Sequence, residues 1–155
     1  MFSTLHTNDA PSAVTRLMDI GAKPFLVAAA LRASLAQRLV RRNCPHCRRA
    51  HTPAPRELHA LNLPVSRLAN ATFMRGEGCP ECNGTGFLGR LGIFEIFFIT
   101  DEIRSMICGH ASASRLRHRA RQDGLRTMRE DGIRKVLAGH TTIAEVVSAT
   151  VGDEL

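Results

Sequence analysis

Cys44-Pro-His-Cys47 and Cys79-Pro-Glu-Cys82 are two C-x-x-C stretches separated by 31 residues, and the reading of the chain turns on them. One C-x-x-C sets two sulfurs on a single tight turn. A second closes a tetrahedron around an ion held at about 2.3 Å from each sulfur. Thiolates are soft donors, and four of them leave no open position, which suits zinc held structurally rather than catalytically. An iron–sulfur cluster also uses four cysteines, so the donor set alone leaves the metal open. Two disulfides would need an oxidising compartment, and no secretory signal is present. A redox C-x-x-C would need one pair in a thioredoxin-like βαβ context, which is absent. The fifth cysteine, Cys108, lies in an apolar run and is expected to be a small buried hydrophobe. His46 and His51, beside the first knuckle, read as solvated loop histidines, because four thiolates already fill the shell.

Around this site lie 155 residues, the size of one domain or of a piece of a larger one. No apolar run approaches the ~20 residues that span a bilayer. The longest, Pro24 to Leu31, is followed by Arg32, and a cytoplasmic location is the expectation. The formal charge is +7. One Zn²⁺ on four thiolates would lower this to about +5. Nearly all of the positive charge is arginine, Lys23 and Lys135 being the only lysines. Basic charge permits nucleic acid, nucleotide or anionic-lipid partners without requiring them. With no Trp and no Tyr, there is no aromatic platform for stacking single-stranded bases.

Taken in order, the chain opens on Phe2-Ser-Thr-Leu5, which reads as the end of a buried strand whose sheet partners lie elsewhere. Asn8 or Asp9 caps a helix with Pro11 in its first turn, Val14, Leu17 and Met18 as its stripe, and Gly21 as its stop. Pro24 opens a second helix, Phe25 to about Ser34, apolar nearly all round and therefore expected to be buried. Residues 37 to 42 form a basic, strand-like exit into Cys44. Between the knuckles, Pro55 to Leu63 reads as a short helix and Val65 to Ala69 as a further turn, with Leu58, Leu61 and Leu68 packed over the metal centre. So small a unit needs the metal to hold it together. Gly84, Gly86 and Gly89 follow the second knuckle and permit positive φ and close backbone approach. Ile93 to Ile99 is a strand interrupted by Glu95, which is expected on a polar face or against an arginine. The rest is helical. Thr100 or Asp101 starts one helix and Ser112 another that Asp123-Gly124 closes. Thr127 with Glu130 and Thr142 with Glu145 have capping-box spacing.

Four pieces, in order, resemble the C-terminal part of the secretion and pilus-assembly ATPases, the cytoplasmic motors of type II secretion and type IV pilus assembly. Phe2-Ser-Thr-Leu-His-Thr-Asn-Asp9 is similar to the family's histidine box. Ala36-Gln-Arg-Leu-Val-Arg-Arg42 leads into the first knuckle as the family does. Cys79 to Phe87, followed by Gly89-Arg-Leu-Gly-Ile-Phe-Glu95, resembles its second knuckle and return strand. Gly124-Leu-Arg-Thr-Met-Arg-Glu-Asp-Gly132, followed by Leu137-Ala-Gly-His-Thr-Thr142, resembles its closing helices.

The resemblance implies an α/β fold: the C-terminal part of a RecA-like P-loop ATPase core, mostly helical here, with a small zinc-bound tetracysteine insertion. It divides the chain into a core remnant (1–43), a tetracysteine subdomain (44–82), and a return strand with C-terminal helices (83–155). It implies His6 near the γ-phosphate as a sensing group, with Gln37 and Arg38 lining the same side of the core. Cys44, Cys47, Cys79 and Cys82 would be the metal ligands, and no residue of this chain would be catalytic. The partners implied are like ATPase subunits in a hexamer and inner-membrane components of the machine, which would hold the protein at that membrane's cytoplasmic side.

The family's Walker A, acidic boxes and Walker B are expected upstream of His6, and these residues hold none of them. Phosphoryl transfer needs a phosphate cradle, a lysine and Mg²⁺ ligands. ATP and Mg²⁺ are therefore expected only in a full-length protein, and this chain alone is expected to be inactive. Two rival readings are a chaperone-type zinc centre and a basic zinc module that binds nucleic acid. Cys79-Pro-Glu-Cys-Asn-Gly-Thr-Gly86 fits the C-x-x-C-x-G-x-G of J-domain co-chaperones, but the first knuckle has no matching glycines. A zinc ribbon would show β-hairpin signals between its knuckles, where this insertion reads as helical.

Overall fold

The computed structural model describes residues 2–61 and 71–151. The order of elements is α1 (Ser12–Asp19), α2 (Pro24–Ala30), β1 (Ala33–Asn43), β2 (Arg48–Ala50), α3 (Pro55–Leu61), β3 (Met74–Gly76), a 3₁₀ turn (Pro80–Cys82), β4 (Phe87–Phe98), α4 (Asp101–Cys108), α5 (Ala113–Gln122), α6 (Met128–Leu137) and α7 (Ile143–Ala149). This is the mixture of helix and strand expected. β1 and β4 pair in one two-stranded sheet, and β2 and β3 in another. The contacts divide the chain into two compact units, Met1–Ala36 with Phe94–Thr127 and Gln37–Ile93 with Met128–Leu155.

The first unit is an apolar core built on four helices. Val14 of α1, Val27 and Ala28 of α2, Ile103 and Ile107 of α4, and Leu116 of α5 pack around Phe97. Each such side chain, fully buried, contributes about 1.5–3 kcal/mol. The helix starts follow the sequence signals. Asp9 Oδ1 accepts the Ser12 N–H at 2.8 Å. Thr100 Oγ accepts from Ile103, and Ser112 Oγ from Arg115, each at 3.4 Å. The other carboxylate oxygen of Asp9 pairs with Arg117 of α5, which ties α1 to α5.

Several expectations fail in this unit. Residues 2–7 form no strand, and Phe2 is fully exposed, because nothing in the described chain pairs with that segment. The second helix ends at Ala30, where Leu31 turns to extended backbone and leads into β1. Only Val27 and Ala28 are buried on it; Phe25 and Leu26 stay more than half exposed. An all-apolar sequence says that burial is favourable, not that a partner stands on every side. Cys108 is exposed, because Ile103 and Ile107 carry the buried face of α4. Of the two places expected for Glu95, the polar face is not the one it takes. It is 5% exposed, on the buried side of β4 with Ile93 and Phe97, and accepts the Ala10 N–H at 2.8 Å.

In the second unit α6 and α7 pack through Ile133, Val136, Ile143 and Val146. Gly132 makes their approach possible: a Cβ there would stand 2.5 Å from Val146 Cγ1. Leu58 and Leu61 of α3 join this cluster. They were expected over the metal centre, but α3 leans on α7 instead, and among the described residues the cluster of Cys44, Cys47, Cys79 and Cys82 includes no large apolar side chain. Leu63, Leu68 and the expected turn from Val65 to Ala69 lie outside the described residues. The insertion is also not purely helical. β2 and β3 form a short antiparallel ladder with Arg48 opposite Gly76 and Ala50 opposite Met74, which brings the two knuckles together.

Candidate metal centre

The first knuckle begins where β1 ends. Cys44 donates its N–H to the Gly86 carbonyl at 2.9 Å, so the two knuckles are pinned backbone to backbone before any metal is considered. The second knuckle is a 3₁₀ turn from Pro80 to Cys82, followed by Asn83 in the left-handed conformation at φ 50°. The Gly86 backbone then passes Gly76 so closely that a Cβ on Gly86 would lie 2.4 Å from the Gly76 oxygen. At φ 76°, and with that contact, only glycine fits.

The four Sγ atoms of Cys44, Cys47, Cys79 and Cys82 all lie within 4.8 Å of one another. Cys44 to Cys79 and Cys47 to Cys82 are 3.8 Å each, and Cys79 to Cys82 is 3.7 Å. Sulfurs bound tetrahedrally at about 2.3 Å stand about 3.8 Å apart. Disulfide sulfurs stand about 2.05 Å apart, so these are four free thiols arranged around one point. Three of the four are buried, and the donor set fits a metal ion.

Backbone amides complete the shell. Gly78 donates to Cys47 Sγ at 3.3 Å, while Cys79 and Gly86 donate to Cys82 Sγ at 3.2 Å each. Such bonds favour the thiolate, and burial opposes it. Burial pushes the Cys47 thiol up to about 11 and raises Cys79 as well. At Cys82 burial pulls the same way, but the Cys79 and Gly86 amides together with the Cys79 and Cys47 thiols outweigh it and bring the thiol down to about 6. A bound cation would ionise all four, because coordinating thiols lose their protons.

Asn43, immediately before Cys44, was not foreseen. It is buried, and its Nδ2 donates to the Met74 carbonyl at 2.9 Å and the Gly139 carbonyl at 3.1 Å. Its own N–H meets the His140 carbonyl at 2.9 Å. One residue thus joins the first knuckle to β3 and to the turn between α6 and α7. The sequence carries no pattern that marks it. His46 is exposed as expected, but His51 is half-buried, 3.8 Å from Glu57. Glu145 does not close the capping box with Thr142. Its carboxylate takes the Arg41 backbone N–H at 2.9 Å and the Arg41 guanidinium at 2.6 Å.

The other candidate residues are not brought to this centre. His6 is exposed in the irregular segment of the first unit. Gln37 and Arg38 are consecutive on β1 in the second unit, so their side chains leave opposite faces of the strand. Gln37 is exposed, and Arg38 is half-buried with a guanidinium N–H donated to the Ala149 carbonyl.

Comparison with known proteins adds a match to the family described as "Type II/IV secretion system protein" over residues 1–148. The chain belongs to that family. It is 44% identical to the type IV pilus assembly ATPase PilB of Thermus thermophilus, over 97% of this chain and 17% of that protein. It is 45% identical to the type II secretion system protein HxcR of Pseudomonas aeruginosa, over 97% of this chain and 28% of that protein. The same bacterium's type II secretion system protein E is 42% identical, over 97% of this chain and 29% of that protein. The chain therefore spans less than a third of the length of these relatives. Family membership runs through both knuckles, which leaves the chaperone and nucleic-acid readings without support.

Proposed function

We propose that this chain is the C-terminal segment of a cytoplasmic ATPase that powers type II protein secretion or type IV pilus assembly. The observation that carries the reading is identity of 42–45% to pilus and secretion proteins along 97% of the chain, in a sequence that has no G-x-x-x-x-G-K-[ST]. ATP and Mg²⁺ would bind a full-length subunit in a hexamer, with this segment completing a RecA-like core. The two long strands support that. Leu35 and Leu39 on β1, and Phe94, Ile96 and Phe98 on β4, are exposed on alternate positions whose intervening neighbours are more buried, the pattern of strands that are covered on both faces in a larger α/β core. His6, Gln37 and Arg38 would serve the nucleotide side of that assembly, His6 as a sensing group.

The tetracysteine unit (44–82) would hold a structural Zn²⁺ through Cys44, Cys47, Cys79 and Cys82. It would stand between the core remnant (1–43) and the return strand with its helices (83–155), as a contact for an inner-membrane component. No described helix is long and apolar enough to cross a membrane, which fits attachment through partners. The purified chain is expected to hydrolyse no ATP. Mg²⁺-dependent turnover by the chain alone would overturn the assignment of catalysis to the rest of the motor.

A further inference from the structure

Glu95 is the only acidic side chain that is buried among the described residues, and neither the metal centre nor the nucleotide-side residues include it. The residues two before and two after it on β4, Ile93 and Phe97, are fully buried, so an apolar side chain would suit the position. A carboxylate taken out of water is costly unless hydrogen bonds hold it. Glu95 Oε1 accepts the backbone N–H of Ala10 at 2.8 Å. Ala10 is itself buried, in the apolar core with Val14 and Phe97. Without an acceptor there, a buried amide would be left unpaired. An ionised acceptor makes a shorter bond, roughly twice as strong as a neutral one.

That bond falls where α1 begins and where the segment carrying His6 ends. Asp9, one residue earlier, accepts the Ser12 N–H with one oxygen and pairs with Arg117 through the other. Thr7 donates its hydroxyl to the Asp9 carbonyl at 3.1 Å. Two of these ties, at Asp9 and Ala10, reach distant elements of the same unit, α5 and β4. The Arg117 side chain is 35% exposed, so water screens its pair with Asp9. The bond from Ala10 to Glu95 is buried and is the stronger anchor. His6 immediately precedes Thr7 and is exposed, so its placement depends on how the residues after it are held. We propose that Glu95 is a positioning residue for His6. Its carboxylate anchors the Ala10 amide and so sets where the segment carrying His6 leaves the core. This rests on the reading of His6 as the nucleotide-sensing group. Glu95 acts through the backbone and not on the nucleotide.

The test is a double-mutant cycle on ATP hydrolysis by the full-length motor, with amide exchange on this chain beside it. In the chain, Glu95→Leu should speed exchange of the Ala10 N–H at least about ten-fold, while α4 and α5 stay protected. In the motor, Glu95→Leu should lower kcat about 10- to 100-fold and change KM for ATP far less. Glu95→Gln keeps a neutral acceptor and should lose only about three-fold. His6→Ala should lower kcat as Glu95→Leu does. Combining the two should cost little more, because both act through one group. A full further loss in the combined variant, or unchanged Ala10 exchange in Glu95→Leu, would overturn the proposal and leave His6 as a sensing group. A His6→Ala motor with the parental kcat brings down both. Should Glu95→Leu not fold, Glu95→Gln carries the cycle, and a loss that persists beside His6→Ala, or no loss at all, overturns the proposal.

Discussion

The two units of this protein are held together by different physics. The first is a conventional apolar core, with Phe97, Ile103, Ile107 and Leu116 buried among four helices, and needs nothing but water to drive it. Around the knuckles the second has, among the described residues, four sulfurs, a few backbone amides and one asparagine. Its apolar side chains, Leu61, Val136 and Val146, are spent on the α6–α7 cluster. The contrast sets up a testable expectation: an insertion too small to bury its own surface is ordered when a cation on its four sulfurs takes the place of a core.

The sharpest way to break this comparison is to remove the metal. Structural zinc in small domains is worth about 10–16 kcal/mol of apparent binding energy. A strong chelator should therefore abolish hydrogen-exchange protection in residues 44–50 and 74–86 and leave α4 and α5 protected. Lowering the pH should do the same, because the thiolates must take up protons. Loss of protection throughout both units would mean that the metal supports the entire chain.

Phe97→Ala is the converse perturbation. A cavity at that position should cost about 3–5 kcal/mol, read as a lower denaturation midpoint for the first unit with metal content unchanged. Asn43→Ala comes next. It strips the donor shared by the Met74 and Gly139 carbonyls and should cost about 1–3 kcal/mol. Exchange should quicken at the knuckle and at the α6–α7 turn together, whereas a change at one alone would remove Asn43 as the joint. The smallest effect is at Glu145. The Arg41 guanidinium, opposed in part by burial, holds its carboxyl below the ordinary value. A lowered carboxylate stabilises above its unfolded pKa, and that contribution is lost as the pH falls through the folded value. Arg41 is well exposed, so Glu145→Gln should cost no more than about 1 kcal/mol at pH 7. The difference from the parent should close in acid, where metal loss is common to both chains.

How much of this was legible in the sequence follows the same division. Thr100, Ser112 and Thr142 could be read as helix starts because a cap is a local device, set by one side chain and an amide three residues on. The cysteines were legible because ligand spacing is also local. What failed was set by distant partners. Glu95 is buried because Ala10, 85 residues away in sequence, offers it an N–H. Leu58 and Leu61 pack on α7 rather than on the nearer knuckles, and Cys108 is exposed although its neighbour Ile107 is buried. Asn43 and the donors Gly78 and Gly86 serve the centre through contacts that no spacing rule encodes, although the glycines after the second knuckle did mark a close backbone approach.

The central claim is that four cysteines close the second unit around one ion, and native mass spectrometry with elemental analysis tests it most directly. The purified chain should carry one zinc ion per molecule, and Cys44→Ser with Cys79→Ser should carry none and lose protection around the knuckles. A metal-free chain with the same protection, or one in which these cysteines are paired as disulfides, would contradict the account.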